Sequence, residues 1–453
     1  MGLGDGLARL LSFGATMYLA RVLGAEGYGV IALALGVALY LQQLVDYGVE
    51  ALGIRRVAAA HTEAATLAGA YLAGRMALAI VLLAVTAVAA TLLLPDPEGH
   101  VLALYALTLF PVALSTRWVH LGLERARPVG VARVLGEAIM VVTVLVFVRS
   151  SDGIRIVPLA QFVGDAVAMG WLFSRLTDHG LRVRLRWDGP RIREMARSAL
   201  PLVGHSLLGL VIYNSDLIFL RLFRGRADVG LYAVAYTLIS FLLNLGWAYS
   251  QSLLPTLTRL DSEGGDTGGL FQTAQAQVFV VTAPLAVGGW LVAEPLLRSM
   301  FTFEFSAAGA ALAVLIWSVP ISLVRTVSLA ALLSRERQDM VLQTTTSSAV
   351  VNLMLNVALI PRFGILGAAY ATVLTELMRA GLALYFIKRL GYPGLPFKRF
   401  VPSLVSAAAM GIAVGALDGL DVWVRIGVGA SVYGAVLLAT GGARVRGGIR
   451  LSV

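Results

Sequence analysis

Six arginines lie inside long apolar stretches of this sequence. They are Arg9, Arg75, Arg117, Arg133, Arg325 and Arg379. Placing a charged side chain in an apolar environment costs free energy, so its presence there indicates a functional role. In a hydrated site, a guanidinium group forms charge-assisted hydrogen bonds with anionic ligands. Arg133 is followed by Glu137 one helical turn later. Arg379 follows Glu376 at i,i+3 spacing, so we expect each arginine to be neutralised by its neighbour.

For the other four arginines, no such neutralising pair is predicted. We expect Arg75, near the end of its stretch, to extend its side chain toward the membrane surface. Arg9, Arg117 and Arg325 are the candidates for contact with a ligand, and a structural salt bridge is the alternative for each. Arg117 and Arg325 occupy near-equivalent places in the two halves of the chain, which suits two sides of one cavity.

Asp46 and Glu50 lie in the second apolar stretch. One interpretation is that they gate a cavity by pairing with arginines of the opposite half of the chain, and we include Asp46 among the ligand-site candidates. The other is local pairing near Arg55 and Arg56.

The composition predicts an all-α polytopic membrane protein. With 58% hydrophobic and 14% charged residues, a chain of 453 residues has too little polar surface for a soluble globule. The net charge of +10 does not indicate nucleic-acid binding, because the arginines outside the apolar stretches lie in short loops. The absence of cysteine excludes disulfides and thiolate metal sites. We interpret the first apolar stretch as a retained span.

Fourteen stretches have about the 20 residues that cross a bilayer. The first six are 6–23, 28–52, 68–94, 101–123, 128–149 and 153–176, and the next six are 198–222, 228–254, 270–294, 307–332, 341–360 and 363–387. The last two are 400–417 and 421–440. We predict a first lobe (1–176), a basic cytoplasmic linker (177–197), a second lobe (198–388), and a C-terminal part with two helices and a basic tail (389–453).

Positive charge predicts the orientation. Loops after even-numbered spans, with the tail, hold roughly 21 Lys and Arg against roughly 8 elsewhere. Both termini are therefore expected in the cytoplasm of a prokaryotic cell, with the chain in its inner membrane as a monomer. Arg221, Arg224 and Arg226 are the main exception. In the linker, we expect Trp187 and the six arginines to form an interfacial segment against anionic lipid. These are Arg182, Arg184, Arg186, Arg191, Arg193 and Arg197.

The sequence contains an internal repeat. A predicted tight turn at residues 23–29 is echoed at 225–233, with the glycines in matching places. Asp165 likewise corresponds to Glu376, each at the same offset from a Gly-Ile pair. Six spans separate the copies, so two lobes of the same topology are expected around a central cavity. The last two helices either form a groove for a lipid tail or merely fill space in the bundle.

Several motifs together resemble a known family. They are Arg21-Val22-Leu23-Gly24 with Tyr28-Gly29, Asp46-Tyr47-Gly48, Ala199-Leu200-Pro201, Asp216 ahead of Gly230-Leu231-Tyr232, and Asn356 to Pro361 followed by Gly364 to Ala369. The chain is similar to the polysaccharide transporter branch of the multidrug, oligosaccharidyl-lipid and polysaccharide superfamily. This implies a flippase for oligosaccharides on polyprenyl pyrophosphate, not an enzyme. Fourteen helices look more like the lipid II flippase branch.

The resemblance also implies roles for residues. Arg9 looks like a first-helix arginine of lipid II flippases, although their second arginine corresponds to Ala15 here. Arginines in the cavity would bind the pyrophosphate, while the prenyl tail stays in lipid. A further set resembles the sodium site of that branch: Asp216, Asn352, Asn356, Ala368 and Thr372. Asn356 departs from the carboxylate often found there. Hydrogen-bonded helix packing, or a proton carrier at Asp216, is the alternative.

No phosphate-binding loop is present, so the expected driving force is the membrane potential, an ion gradient or both. No cofactor is expected, and Na⁺ or H⁺ is the candidate coupling ion. Two alternative functions stay open. One is a cation-coupled drug or metabolite antiporter of the multidrug branch. The other is an intramembrane glycan polymerase or ligase, which the absence of a large outward loop disfavours.

Overall fold

The computed structural model describes residues 2–178, 180–442, 444–445 and 449–450. The α-helices are α1 (Gly2–Asp46), α2 (Val49–Ala59), α3 (Ala64–Leu93), α4 (Glu98–Tyr105), α5 (Leu109–Leu114), α6 (Arg117–Gly122), α7 (Ala126–Phe147), α8 (Ile156–Thr177), α9 (Gly189–Phe223), α10 (Arg226–Ser262), α11 (Thr267–Met300), α12 (Gly309–Leu315), α13 (Ser318–Ser334), α14 (Gln338–Phe363), α15 (Ile365–Arg389), α16 (Phe397–Ala416) and α17 (Val422–Ala439). Two-residue strands, β1 (Arg444–Val445) and β2 (Ile449–Arg450), pair antiparallel. Apart from this short pair of strands, the elements of the described residues are helices, so the all-α prediction is confirmed.

Twelve helical runs among these residues are long and apolar enough to cross a bilayer. A pair bent by 41°, Phe303–Leu315 with Ser318–Ser334, gives a thirteenth candidate. The longest run, Gly4–Ala59, has 56 residues, more than twice the length of about 20 that a span needs. It is broken at Gly24, so it supplies two spans, and the predicted number of fourteen agrees with the structure.

The predicted tight turn at residues 23–29 is shorter than expected. Only Gly24 leaves the helix, with φ 68° and ψ −179°, while the other two glycines of the turn stay helical. One residue in the left-handed half of φ space is enough to bend the chain, and glycine adopts it without a steric penalty. In the second copy of the repeat, the helical path is interrupted at the equivalent glycine, Gly225, which has φ 133°.

Gly29 and Gly230, each five residues after a break, instead allow two backbone segments to pack closely. A Cβ on Gly29 would lie 2.0 Å from the carbonyl oxygen of Arg226. A Cβ on Gly230 would lie 1.9 Å from the carbonyl oxygen of Ala25. The two glycines therefore touch each other through their backbones in a reciprocal contact, and a side chain at either position would separate the two segments.

Packing divides the chain into two compact units. The first contains Met1–Arg221 and Gly225–Gly230, and hence α1 to α8 and nearly all of α9. The second contains Leu222–Arg224 and Leu231–Val453, with most of α10 and all of α11 to α17. Residues 189–197 of the predicted linker form the first turns of α9. The predicted limits of the two lobes follow the internal repeat rather than these packing units, so they stay a prediction.

Within the first unit, α2 packs closely against α6 around a buried tryptophan. Trp118 is 1% exposed, and its ring centroid lies 5.8 Å from that of Tyr71. Gly53 faces the Trp118 ring, and Gly122 faces Val57. Small residues at these two positions let the helices approach closely enough to enclose the indole ring.

Within the second unit, the C-terminal helices α16 and α17 pack against α11. Val280 of α11, Met410 of α16 and Tyr433 of α17 belong to one buried cluster. The Tyr433 hydroxyl donates to the carbonyl oxygen of Val280 at 2.6 Å. This bond satisfies a polar group inside an apolar cluster and fixes α17 on α11.

Gly53→Ala is expected to destabilise the first unit. Its new methyl group would lie 2.6 Å from the ring of Trp118, which is fully enclosed. Overpacking of this kind costs about 1–3 kcal/mol. Gly14→Ala in α1 is the control, because no atom lies within 4 Å of its Cβ position. Thermal unfolding of the purified protein should show a lower melting temperature for Gly53→Ala alone. Equal melting temperatures of the two variants would contradict the described packing.

Candidate functional site

In the first unit, the helical path is interrupted at two places close to predicted site residues. After α1 ends at Asp46, Tyr47 and Gly48 take positive φ values of 33° and 81° before α2 starts. Between α5 and α6, Ser115 is extended and leaves the helical path. Such breaks free backbone carbonyl groups that a continuous helix would satisfy. In transporters, discontinuous helices of this kind form binding sites.

Arg75 of α3 connects the two breaks. Its Nη2 donates to the carbonyl oxygen of Val112 at 2.6 Å, and its Nη1 to that of Ser115 at 3.3 Å. Nη2 also lies 3.4 Å from Oδ1 of Asp46. The expectation that Arg75 extends to the membrane surface is wrong, because the residue is 3% exposed. Two backbone carbonyl groups and a carboxylate are the partners of the two terminal guanidinium nitrogens inside the protein.

Arg117 and Glu50 stand at the starts of the two following helices, α6 and α2. Nη1 of Arg117 lies 2.7 Å from Oε1 of Glu50, and the side chains are 37% and 42% exposed. This ion pair is therefore open to an incoming ligand. In this structure Asp46 and Glu50 pair with Arg75 and Arg117 of the same half, not with arginines of the opposite half. Local pairing near Arg56 is also wrong, since Arg56 binds Glu194 at 2.8 Å.

Arg9 lies among further charged groups between α1 and α7. It is within electrostatic range of Arg133 and Asp5. The predicted pairing of Arg133 with Glu137 is wrong, because Arg133 pairs with Asp5 at 3.2 Å. Glu137 instead accepts a hydrogen bond from Ser12. A partner on α1 takes precedence over the partner one turn away on α7, since the packed helices bring the α1 side chains within reach.

A second acid lies close to Glu137 and was missed by the sequence analysis. Gly136 of α7 and Gly164 of α8 touch through their backbones, with each Cβ position less than 3 Å from the other's carbonyl oxygen. Glu137 and Asp165 follow these glycines directly and interact electrostatically. Asp165 accepts a hydrogen bond from Gln161 at 3.1 Å. The sequence signal was the Gly-acid dipeptide present on both helices.

In the second unit, Glu376 binds Arg325, one of the arginines predicted to contact a ligand. Its Oε2 accepts from Nε of Arg325 at 3.0 Å and from the Ser322 hydroxyl at 2.6 Å. The predicted pair of Arg379 with Glu376 is confirmed. All of these charged side chains are at most 8% exposed. This geometry favours the structural salt bridge at Arg325, which the sequence analysis kept as the alternative to ligand contact.

The residues of the predicted ion site are all buried: Asp216, Asn352, Asn356, Ala368 and Thr372. Asp216 belongs to the first unit, and the other four belong to α14 and α15 of the second. Asn356 donates to Asn352 at 3.2 Å, and Asn352 donates to Thr375 at 3.3 Å. The Thr372 hydroxyl lies 3.0 Å from that of Tyr232. These bonds are what the alternative of hydrogen-bonded helix packing requires.

Of the three arginines that disagree with the orientation rule, Arg221 and Arg226 have an acid partner. Oε1 of Glu98, a residue only 2% exposed, accepts from Nε of Arg221 at 2.7 Å and also from Arg226. Their charge is therefore partly neutralised within the fold. Nearby, a hydrogen bond from Arg155 holds the pKa of Asp96 below its usual range.

An apolar cavity of about 450 Å³ lies within the second unit. Helices α10, α11, α12, α16 and α17 line it, with Leu242, Val292, Met410 and Tyr433 on its wall. Its charged lining residue is Arg425, whose side chain is 7% exposed and pairs with Asp418 at 3.0 Å. The C-terminal helices thus contribute to a cavity, as the lipid-groove interpretation requires.

Comparison with known proteins identifies relatives of the sequence. Residues 1–261 match the family described as polysaccharide biosynthesis protein. A probable flippase, AglR of Haloferax volcanii, is 29% identical over 236 residues, 49% of this chain and 49% of that relative. The chain therefore spans about half the length of this curated relative.

Solved structures share the fold. The lipid II flippase MurJ, in an inward closed conformation, superposes with a TM-score of 0.83 at 11% identity over 97% of this chain and 98% of that chain. An inward-facing multidrug resistance MATE transporter of the MOP superfamily gives 0.65 at 14% identity over 84% and 94%. The chain belongs to the polysaccharide biosynthesis protein family, and its fold is that of the multidrug, oligosaccharidyl-lipid and polysaccharide flippase superfamily.

Proposed function

We propose that this protein is a flippase for oligosaccharides linked to polyprenyl pyrophosphate, which it carries from the cytoplasmic to the outer leaflet by alternating access. The hydroxyl groups and charges of such a lipid cannot cross hydrocarbon unaided, because they would lose water without compensation. The single observation that carries the proposal is the half-exposed pair of Arg117 and Glu50 beside two helix breaks. The similarity to a probable flippase supports it.

Arg117 binds the pyrophosphate by exchanging its partner. In the described state its guanidinium is occupied by Glu50, so a phosphate oxygen takes the place of one carboxylate oxygen rather than meeting a bare charge. Asp46 contributes indirectly, since it holds Arg75 against the carbonyl groups of the neighbouring break. Arg9 and Arg325 are the further candidates for contact with the headgroup.

The prenyl tail needs an apolar path. We propose that it occupies the apolar cavity between α10, α11, α12, α16 and α17. Burial of methylene groups there stabilises the bound lipid by roughly 0.8 kcal/mol per group. This assigns the C-terminal helices to tail binding rather than to filling space in the bundle.

Alternating access requires a side that closes. The reciprocal contact of Gly29 with Gly230 leaves no space even for a methyl group, which suits a closed outer side. Glu98 reinforces it, because it binds Arg226 four residues before Gly230. Opening to the outside would separate these backbones. In this assignment both termini lie in the cytoplasm of a prokaryotic cell, and one chain suffices for transport.

Energy comes from the membrane potential, which favours outward movement of an anion by about 2.3 kcal/mol per charge for each 100 mV. We propose Na⁺ as a coupling ion at Asp216, Asn352, Asn356, Ala368 and Thr372. Oxygen ligands from carboxylate, amide, hydroxyl and backbone carbonyl groups suit a hard cation. The burial of Asn352, Asn356, Ala368 and Thr372 in the second unit supports an ion held away from water.

Arg117→Gln is expected to reduce transport without unfolding the protein. Losing a charge-assisted hydrogen bond of about 1.5–3 kcal/mol lowers transport roughly ten- to a hundredfold. Proteoliposomes loaded with radiolabelled polyprenyl-pyrophosphate glycan, under an imposed potential, give the rate. Arg56→Gln is the matched control, because it removes an arginine from a similar ion pair with Glu194.

Wild-type transport by Arg117→Gln would overturn the assignment of this site, as would equal losses in the two variants. Arg325→Ala is a poorer test, because it leaves Glu376 buried with one arginine fewer. Removing one member of a buried ion pair costs about 3–5 kcal/mol, so a loss of folding would accompany any loss of transport.

Asp216→Asn is expected to abolish the response to sodium. In the same proteoliposomes, an inward-directed or outward-directed sodium gradient should change the wild-type rate, while Asp216→Asn should transport at one rate in both. Asp228→Asn, near the start of α10, removes the same charge outside the predicted ion site and should keep the response. Sodium-independent transport by the wild type that survives Asp216→Asn would exclude the site.

A further inference from the structure

The segment that joins α8 to α9 is extended and fixed to the first unit. Residues 181–188 form neither helix nor strand, but the amide of Arg186 donates to the carbonyl oxygen of Gly69 at 3.3 Å. The carbonyl oxygen of Arg184 lies 2.2 Å from the Cβ position of Gly69. Close approach to a glycine near the start of α3 therefore holds the backbone in place.

Side chains alternate along this segment, as they do in any extended chain. Leu181 and Val183 pack inward against the cluster around Trp118. Arg182, Arg184 and Arg186 are exposed, and we call these three the arginine ridge. Two large apolar residues follow the inward pair without being covered, since Leu185 is 54% and Trp187 is 65% exposed. The segment thus presents fixed positive charge beside uncovered apolar surface.

The acids around the ridge are occupied by other arginines. The pairs are Asp178 with Arg175 at 2.8 Å, Asp188 with Arg191 at 3.3 Å, and Glu194 with Arg56 at 2.8 Å. In the part of the chain that the structure describes, no acid lies within ion-pair distance of the ridge. The ridge is therefore available to an anionic partner from outside the chain.

We infer that the arginine ridge, with Leu185 and Trp187, binds the headgroups of anionic phospholipids. The segment lies beside the start of α3 and directly before α9, two helices long and apolar enough to cross a bilayer, which favours a position at the membrane surface. Tryptophan prefers this interface, where its ring is half in lipid. Clustered arginines are attracted by the negative surface potential of phosphatidylglycerol or similar lipids. This inference does not depend on the proposed transport activity.

Brominated lipids test the contact, because bromine quenches a nearby indole. The full chain is reconstituted in nanodiscs of phosphatidylcholine and phosphatidylglycerol, with bromine on the chains of one lipid or the other. The difference in emission between wild type and Trp187→Phe isolates the signal of Trp187. We expect brominated phosphatidylglycerol to quench this signal several-fold more per molecule than brominated phosphatidylcholine, and added salt to reduce the difference.

Charge variants make the test specific. Replacing the three arginines of the ridge by Gln should remove the preference for phosphatidylglycerol. Arg55→Gln/Arg125→Gln/Arg127→Gln removes the same charge from exposed arginines on the same predicted face, and it should keep the preference. Equal quenching by the two lipids would overturn the inference, as would an unchanged preference in the ridge variant. Quenching by iodide from the water, with no quenching by either brominated lipid, would overturn it as well.

Discussion

Charge inside an apolar bundle must be neutralised where it lies, and this requirement organises both units. The arginines predicted within spans that have acid partners are Arg75, Arg117, Arg133, Arg325 and Arg379. Most of these partners come from a different helix, so the ion pairs also fix which helices pack together. Continuum estimates give a buried ion several kcal/mol of desolvation cost, which good geometry offsets only in part.

The same requirement separates two kinds of arginine. Arg325 and Arg379 share Glu376 inside a closed cluster, where a change of partner would expose a charge to hydrocarbon. Arg117 and Glu50 are open enough for a change of partner without that cost. Transport in the proposed scheme is then an exchange of anions at a half-exposed guanidinium, in which the released Glu50 carboxylate is exposed enough to be solvated by water.

The all-helical fold and the helix count were predictable because they depend on local features. Span length follows from bilayer thickness, and one glycine at positive φ is enough to mark the break at Gly24. The pair of Arg379 with Glu376 was also predictable, since both lie on one helix face. Arg133 shows the limit of this reasoning, because its partner Asp5 is distant in sequence and only packing brings the two together.

Other features of the site depend on backbone that periodicity does not reveal. The carbonyl groups of Val112 and Ser115 accept hydrogen bonds from Arg75, and Pro111 marks this stretch as irregular without locating the break at Ser115. The partner of Arg221 is 123 residues away at Glu98. Five helices line the apolar cavity, so the hydrophobic pattern of any one helix does not predict it.

Gly29 and Gly230 hold equivalent places in the internal repeat, and each fills the space that a side chain on the other would need. A contact between equivalent residues is isologous, the kind that two identical subunits form across a two-fold axis. A chain with one copy of the repeat would therefore carry a self-complementary surface at this glycine. In this protein both surfaces belong to one polypeptide, so a side chain at either glycine would collide with the backbone of the other segment.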